Sequence, residues 1–128
     1  MIPESHLDLV QRPILAHLAT IMEDGSPQIT PVWIDYDGSL LLVNTAAGRK
    51  KERNMRERPA VALDIVDPDN ASRKLMIMGR VIEATADGTE EHIDRLSQRY
   101  LGVPTYPSRV PGETRLIVKI EPERVIAQ

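Results

Sequence analysis

The chain has 128 residues, a formal net charge of −3 at pH 7 and no cysteine. This length is typical of one domain with a buried core, so residues 1–128 are predicted to form a single domain. The missing cysteine excludes disulfides, thiolate metal ligands and a cysteine nucleophile. The mild acidity argues against a nucleic-acid partner, because nucleic-acid-binding domains are usually basic.

No apolar run approaches the roughly 20 residues that a membrane-spanning helix needs. The N-terminal stretch MIPESHLDLVQRP lacks the basic and then apolar order of a signal peptide. We therefore expect a cytoplasmic protein without a membrane partner.

The first half of the chain has the pattern of an antiparallel meander. Residues 14–21 and 28–36 are apolar segments on either side of an Asp-Gly turn at 24–25. A second Asp-Gly turn at 37–38 leads into the apolar segment 39–45. These three segments are predicted to be consecutive strands.

Three further strands are predicted in the second half. Residues 60–66 and 74–84 flank DPDNAS, a sequence with strong turn chemistry. Residues 114–122 alternate apolar and basic side chains, as a half-buried strand does. Six strands with short connections indicate a mainly β protein built as a small antiparallel barrel, because a barrel closes its own edges.

Two helices are predicted between the strands. The first begins at Arg49 and ends before Pro59, which cannot continue a helix. The second begins at Asp87, with Glu90 in the position of a capping box, and ends at Gly102. Its apolar stripe is expected to pack on the barrel. Residues 102–113 contain three prolines and two glycines and are predicted to be an irregular loop.

The first helix concentrates positive charge at its start. Residues 49–58 hold six basic and two acidic side chains, and Arg49, Lys50 and Lys51 lie where the helix dipole disfavours cations. A bound phosphate would compensate that charge, and helix spacing places Lys51 and Asn54 on one face. The alternative is a solvated helix held by pairs of Glu52 with Arg56 and of Arg53 with Glu57.

The segment LATIMEDGSPQITPVWIDYDGSLLLVNTAAGRKKERNMRERPAVAL resembles the pyridoxamine-phosphate-oxidase-like split-barrel proteins, which bind flavins or deazaflavins. The similarity is strongest to the short deazaflavin-dependent branch. It continues through MGRVIEA, RYLGVPTYP and RLIVKIEPERV, and so covers nearly everything from residue 13 onward. The order and spacing of these pieces carry the resemblance, since no single piece is as specific as a metal-ligand motif.

The resemblance implies a six-stranded split β-barrel that forms a homodimer with two cofactor sites at the subunit interface. It places the cofactor ring on the strand PQITPVW, the phosphate at the strand end and helix start, and a closing surface on the partner subunit. The implied ring-binding residues are Gln28, Thr30, Pro31, Val32 and Trp33. The implied phosphate-binding residues are Asn44, Thr45, Arg49, Lys50, Lys51 and Asn54. The implied closing residues are Met76, Met78 and Gly79.

The chain departs from pyridoxamine-phosphate oxidases proper, which are longer and hold the substrate phosphate with a C-terminal arginine segment. The end of this chain, PERVIAQ, offers only Arg124, so vitamin B6 oxidation is not expected. Coenzyme F420 carries a phosphodiester and an acidic glutamate tail, which favours F420 for a site with surplus cations. FMN is the alternative cofactor.

We therefore expect an oxidoreductase that transfers a hydride between F420 and a small planar organic acceptor, with no catalytic side chain identified. The cofactor ring would carry the chemistry, and the protein would supply orientation and polarity. The alternatives are an FMN-binding oxidoreductase and a flavin-binding carrier without turnover. An RNA-binding barrel would need stacking aromatics, and the chain has one tryptophan, three tyrosines and no phenylalanine.

The remaining candidate side chains have structural interpretations. His17 is expected to be a hydrogen-bonded structural residue, and His6 and His92 are expected at the surface. No spacing of histidines or carboxylates predicts a metal site. Trp33 is either a core residue or a wall for a planar ligand. Tyr106 is either a packed loop residue or a lid over the pocket.

Overall fold

The computed structural model describes all residues from 1 to 128. Seven antiparallel strands form one curled sheet in the order β2-β1-β5-β6-β7-β4-β3. The strands are β1 Ala16–Ile21, β2 Pro27–Val32, β3 Asp35–Tyr36, β4 Leu41–Ala46, β5 Ala60–Val66, β6 Lys74–Thr85 and β7 Arg115–Ala127. The helices are a 3-10 helix at Glu4–Val10, α1 at Lys50–Glu57 and α2 at Thr89–Leu101. The predicted split-barrel class is confirmed.

The strand count differs from the prediction because segment 28–36 is interrupted at Ile34. The Ile34 N–H donates to the Tyr100 hydroxyl at 3.0 Å, and the Ile34 carbonyl accepts from Arg99 Nη1 at 3.2 Å. Side chains of α2 thus take the place of a neighbouring strand for this residue. The chain crosses from one edge of the sheet, β2, to the other, β3.

The edge strand β2 pairs only with β1 and begins at Pro27. Pro31 lies near its end, and neither proline has an N–H to donate to a sheet ladder. Their presence fits a strand with one free side.

The core is aliphatic and fills the concave side of the sheet. A cluster of 17 buried residues contains no aromatic side chain and includes Leu18, Leu41, Leu63 and Ile120 from four different strands. The 3-10 helix, which the sequence analysis did not predict, adds Leu9 and its neighbours to this cluster. Ion pairs hold this helix in place: Arg73 Nη2 lies 2.5 Å from Asp8 Oδ1, and Arg73 Nη1 lies 2.9 Å from Asp67 Oδ2.

The strands β6 and β7 pair with two register shifts. At the first shift Gly79 faces Pro122, and a Cβ on Gly79 would lie 2.6 Å from the Glu121 carbonyl oxygen. A side chain at this position would collide with the backbone of β7. The same irregularity lets β7 continue past Pro122 to Ala127, beyond the predicted end at residue 122, because the ladder is already interrupted there.

The predicted start of α2 at Asp87 is wrong. The helix begins at Thr89 after Gly88, which has φ 74°, and no side chain caps it. The capping box therefore does not form. The predicted end is confirmed, since Gly102 has φ 70° and its N–H bonds back to the Gln98 carbonyl.

Candidate functional site

The junction of β4 and α1 is a tight turn with a buried acidic cap. Gly48 has φ 91°, a left-handed conformation that glycine adopts without strain. The Gly48 N–H donates to Glu52 Oε1 at 2.7 Å. Arg49 is the N-cap residue of α1, and its side chain makes no capping hydrogen bond. The helix therefore begins with basic side chains and unpaired backbone N–H groups.

The six basic side chains of residues 49–58 divide into two sets. Arg56 pairs with Glu52 at 3.0 Å, and Arg58 pairs with Glu57 at 2.9 Å. The predicted Glu52–Arg56 pair is thus confirmed, and the predicted pair of Arg53 with Glu57 is not formed. The basic side chains without an ion pair are Arg49, Lys50, Lys51 and Arg53.

Three cations converge beside the start of α1, and we call Arg49, Lys51 and Arg115 the cation cluster. Burial lowers the pKa of the Lys51 ammonium below its usual value, and the nearby charges of Arg49 and Arg115 lower it further. Arg115 is only 7% exposed and is itself paired with Glu113. An anion placed here would relieve the repulsion that Lys51 meets.

The cation cluster borders a cavity of about 200 Å³ that we call the Trp33 cavity. Its walls come from β2, β4, β7, α2 and the loop that follows α2. The residues that line it are Leu15, Pro31, Trp33, Asn44, Arg49, Ile93, Tyr106 and Arg115. Four residues predicted for cofactor binding, Pro31, Trp33, Asn44 and Arg49, therefore meet in one place.

Aromatic side chains gather at this cavity, although the chain has only four. The Trp33 ring stacks on Tyr100 at a centroid distance of 5.1 Å and meets Tyr106 edge-on at 5.8 Å. The Arg115 guanidinium lies 5.2 Å from the Tyr106 ring centre, a cation–π distance. Tyr106 is thus both packed and part of the cavity wall. Flat apolar surfaces next to cations suit a planar ligand with an anionic group.

A chain of polar side chains holds Asn44 in one orientation. Its Oδ1 accepts from Arg115 Nε at 2.7 Å, and its Nδ2 donates to the Thr89 carbonyl at 3.1 Å. Nδ2 also lies 3.2 Å from His92 Nδ1, so this ring nitrogen is the acceptor and the His92 proton is assigned to Nε2. His92 Nε2 in turn lies 3.0 Å from Asp35 Oδ2.

His92 is 2% exposed, so its predicted surface position is wrong. The sequence pattern places it between Glu91 and Ile93 on an amphipathic helix, and only the polar partners from β3 and β4 make its burial favourable. Burial alone would raise the pKa of Asp35, but hydrogen bonds from His92 and the Tyr36 N–H, with the charge of Arg99, lower it to about 2.

The predicted residues Gln28 and Asn54 are used inside the protein. Asn54 is fully buried, and its Nδ2 donates to Thr20 Oγ1 at 3.0 Å and to Gln28 Oε1 at 3.4 Å. Its Oδ1 accepts from Arg58 Nη2 at 3.3 Å. The structure thus gives Asn54 a role in fixing α1 to β1 and β2, and does not place it with Lys51 towards the solvent.

Two predicted threonines have unmatched hydroxyl groups. The Oγ1 atoms of Thr30 and Thr45 are buried and have no hydrogen-bond partner. Neither residue lines the Trp33 cavity: Thr30 lies opposite the core residue Leu18, and Thr45 shares a face of β4 with the core residue Val43. Val32, between Thr30 and Trp33, is buried in the core.

Two of the predicted closing residues, Met76 and Met78, lie elsewhere, on the face of β2, β1, β5 and β6 that points away from the core, which we call the outer face. The third, Gly79, is buried and faces the core side together with its pairing partner Val61. A cavity of about 260 Å³ on this face is lined by Met76 and Met78 together with His17, Ile29 and others. Ile29 is 67% exposed there. His17 Nδ1 lies 2.8 Å from Asp64 Oδ1, in agreement with the predicted hydrogen-bonded histidine. Within one chain, this cavity and the Trp33 cavity share no lining residue.

Arg115 is the main site residue that sequence reasoning missed. It occupies a polar position of the alternating strand 114–122, the pattern of a solvent-facing side chain. Its burial follows from the pairing of β7 with β4, which places it opposite Ala46 and within reach of Asn44. This pairing joins residues far apart in the chain, so it could not be predicted from the local sequence.

The comparisons with known proteins agree with this fold. The family model described as pyridoxamine 5'-phosphate oxidase matches residues 2–128. A solved structure named F420 reductase is 34% identical, covers 99% of this chain and 100% of its own, and has a TM-score of 0.89.

A conserved hypothetical protein from Mycobacterium tuberculosis is 25% identical over 99% of this chain and 84% of its own, with a TM-score of 0.75. The HupZ protein of Group A Streptococcus is 22% identical over 99% and 94%, with a TM-score of 0.72, and shows the fold alone. A search of the curated proteins finds no match.

No helix in the structure combines the length and the apolar character that crossing a membrane requires. The match to the family model over almost the whole chain, the 34% identity to an F420 reductase and the curled antiparallel sheet lead to one assignment. The chain belongs to the pyridoxamine 5'-phosphate oxidase family of split-barrel proteins, whose fold is that of flavin- and deazaflavin-binding oxidoreductases.

Proposed function

We propose that this protein is a homodimeric oxidoreductase that binds coenzyme F420 and transfers a hydride between it and a small planar organic acceptor. The observation that carries the proposal is the cation cluster beside the Trp33 cavity. Lys51 is half-buried next to two other cations, and burial together with the charges of Arg49 and Arg115 lowers the pKa of its ammonium group. A cofactor phosphate would supply a compensating negative charge.

The residues present fit a cofactor with a planar ring and a phosphate. Arg49, Lys50 and Lys51 would hold the phosphate, together with the backbone N–H groups at the start of α1. Pro31 and Trp33 would contact the ring. When bound, a deazaflavin supplies hydride-transfer chemistry through its own ring.

The protein's own groups would orient the cofactor and exclude water. The Arg115 guanidinium is held by Asn44 and Glu113, so it would add fixed positive charge at no further ordering cost.

The number of unpaired cations supports F420 over FMN. Four basic side chains of residues 49–58 make no ion pair, whereas the nearby Arg115 is already paired with Glu113. One phosphate monoester does not need so many cations, whereas F420 adds an acidic tail. The 34% identity to an F420 reductase supports the same choice, and FMN is the alternative cofactor.

The outer face supports the homodimer. Its cavity of about 260 Å³ adjoins a second of about 290 Å³, and both include Ala19 and Ala62. The surface is apolar, with the small Ala19 and Ala62 at its centre and the exposed Ile29 and Met78 at its sides. It therefore has room for a partner's side chains. In the proposed dimer Met76 and Met78 lie on the surface that meets the partner subunit, where they would help to close its site, whereas Gly79 is buried on the core side of β6.

The test is a binding titration of the purified protein with F420 and, separately, with FMN, by equilibrium dialysis. Trp33 is the only tryptophan, so its fluorescence on the same samples reports contact with the ring once inner-filter absorption is corrected. We expect F420 to bind more tightly than FMN and to quench Trp33. Failure of both cofactors to bind would overturn the proposal.

Lys51→Ala is the decisive variant, with Arg56→Ala as its control. Loss of a charge-assisted hydrogen bond of roughly 1.5–3 kcal/mol should weaken F420 binding about tenfold to a hundredfold. The difference in F420 affinity between Lys51→Ala and the unchanged protein should become smaller as the salt concentration rises, because salt screens the charge attraction. Arg56 pairs with Glu52 on the other side of α1, so its loss should change binding little. Equal losses from both variants would mean diffuse attraction and no defined phosphate site.

Oxidation of reduced F420 by a quinone, followed at the cofactor absorbance, separates an enzyme from a carrier. Turnover that is lost in Lys51→Ala in proportion to binding supports the oxidoreductase. Tight binding without transfer to any quinone or enone tried would favour the carrier alternative.

A further inference from the structure

A cavity of about 410 Å³ lies between α1 and the strands β6 and β7. It shares no lining residue with the Trp33 cavity or with the outer face, so it is a separate place in the molecule. Its volume falls in the range of about 300–1,000 Å³ that small-molecule sites occupy. The apolar lining residues are Ala47, Met55, Val81, Ala84, Leu116 and Val118.

The inner wall of this cavity belongs to the core of the barrel. Met55 and Val118 are buried members of the core cluster, and Val81 packs against it. Ala47 and Ala84 are exposed and lie at the mouth. Since the wall is fixed by the packing of the barrel, the shape of the cavity does not depend on a ligand.

The polar part of the lining is one ion pair, Glu52 with Arg56. Glu52 is 4% exposed, and its two oxygens accept from the Gly48 N–H, from Arg56 Nε and from Arg56 Nη2. The carboxylate is therefore fully used and the pair is neutral as a whole. Arg56 Nη1 makes no hydrogen bond and is a free donor at the edge of the cavity.

We propose that this cavity is a second ligand site, for a compact, neutral and mainly apolar molecule that carries one acceptor oxygen, such as a cyclic ketone. The apolar walls exclude strongly polar ligands, and the acceptor oxygen takes the free N–H of Arg56. A charged ligand would have to leave water against walls that are mostly apolar, and the neutral Glu52–Arg56 pair would not offset that cost. The proposal is independent of cofactor binding at the Trp33 cavity.

Methionine methyl groups report on the site in unmodified protein. Of the five methionines, Met55 lines this cavity, whereas Met76 and Met78 line the cavity on the outer face. In protein labelled with carbon-13 at the methionine methyls, camphor should shift the Met55 signal and leave the other four in place. Saturation is expected with a Kd of about 1 mM, ordinary for a ligand of roughly ten non-hydrogen atoms.

The matched probe is camphor-10-sulfonate, which has the same apolar body and a negative charge. It should bind at least about tenfold more weakly, because the apolar walls of the cavity cannot replace the water that solvates its sulfonate. This pair of probes tests the proposal without any substitution in the protein. A Met55 signal that stays in place at several times the expected Kd, or equal affinity for both probes, would refute it. So would shifts confined to Met76 and Met78.

A pair of variants locates the site further. Ala84→Phe places a ring at the mouth and should weaken camphor binding at least about tenfold. Ile82→Phe adds a ring on the same strand at an exposed position outside the cavity and should leave binding unchanged. Camphor affinity in Ala84→Phe equal to that of the unchanged protein would also contradict the assignment.

Discussion

Lys51 is the residue on which the proposed phosphate site depends most directly. Its position at the start of a helix was enough to predict an anion site, because the helix dipole argument needs only local sequence. The structure adds that the ammonium is half-buried and that a distant arginine, Arg115, lies close enough to depress its pKa. That second cation comes from β7 and could not be inferred from the spacing of the basic residues.

Asp35 is a largely buried acid at the end of a series of hydrogen-bonded side chains behind the Trp33 cavity. The series continues through His92 and Asn44 to Arg115. Asp35 accepts from His92 and Arg99, and through His92 it is linked to Asn44. A carboxylate with these partners is stabilised in its charged form, which agrees with a pKa of about 2. The orientation of Asn44, and through it that of Arg115, should depend on this acid.

Asp35→Asn should therefore destabilise the protein in a way that depends on pH. A folded-state pKa of about 2 against an ordinary value of 3.8 gives stability that is complete above pH 4 and lost as the pH falls towards 2. After discounting for partial exposure, we expect a loss of about 1 to 2 kcal/mol at pH 6 in urea denaturation. The difference between variant and unchanged protein should shrink below pH 4.

The control for this experiment is Asp87→Asn. Asp87 is exposed in the connection between β6 and α2, and its side chain makes no ion pair. The free energy of unfolding of the Asp87→Asn variant should therefore equal that of the unchanged protein. A loss in Asp35→Asn that stays constant from pH 6 to pH 2.5 would show that shape, and not charge, is responsible.

At the scale of elements, Tyr100 joins α2 to the interruption between β2 and β3. Its hydroxyl donates to the Ile14 carbonyl at 2.7 Å and accepts the Ile34 N–H at 3.0 Å. One side chain of a helix thus satisfies backbone groups on two segments that leave the sheet. The interruption of the sheet and the packing of α2 depend on each other.

Tyr100→Phe should destabilise the protein by about 1 to 3 kcal/mol, because it keeps the ring but leaves the Ile34 N–H without an acceptor. Urea denaturation measures the loss, and hydrogen exchange at the Ile34 amide should become faster. Tyr36→Phe is the matched control, since the Tyr36 hydroxyl donates to the Gly38 carbonyl at an exposed turn. We expect Tyr36→Phe to lower the free energy of unfolding by less than about 0.5 kcal/mol. Similar losses in both variants would remove the special role of Tyr100.

Most of the elements could be predicted because their signals are local. Asp-Gly turns, alternating strands and the glycine that ends α2 all act within a few residues. The interruption at Ile34 could not be predicted, because the groups that replace the sheet neighbour come from residues 99 and 100. The burial of His92 was missed for the same reason, since its partners lie on β3 and β4.

At the scale of the whole molecule, the outer face decides whether the proposed dimer forms. Ala62→Glu places a carboxylate at its centre, where both outer-face cavities meet. An unpaired charge would be buried in the dimer but solvated in the monomer, so dissociation is expected. Light scattering should change from about twice 14.3 kDa to 14.3 kDa. F420 binding should weaken in parallel if the partner completes the site.

Ala86→Glu is the control for this substitution, because Ala86 is exposed between β6 and α2 and lies outside both outer-face cavities. It should remain a dimer. A mass of one chain for the unchanged protein at micromolar concentration, with F420 still bound, would exclude the dimer as a requirement for the site.

The prolines of β2 have a consequence for the protein at high concentration. A sheet with a free edge is a template on which strands of other molecules add, and such addition is the first step towards fibrils. Pro27 and Pro31 withhold backbone donors along β2, and β3, the other edge, is only two residues long. Neither edge offers an incoming strand a continuous ladder. The Trp33 cavity beside Pro31 can therefore stay open to a ligand without exposing an edge on which other molecules add strands.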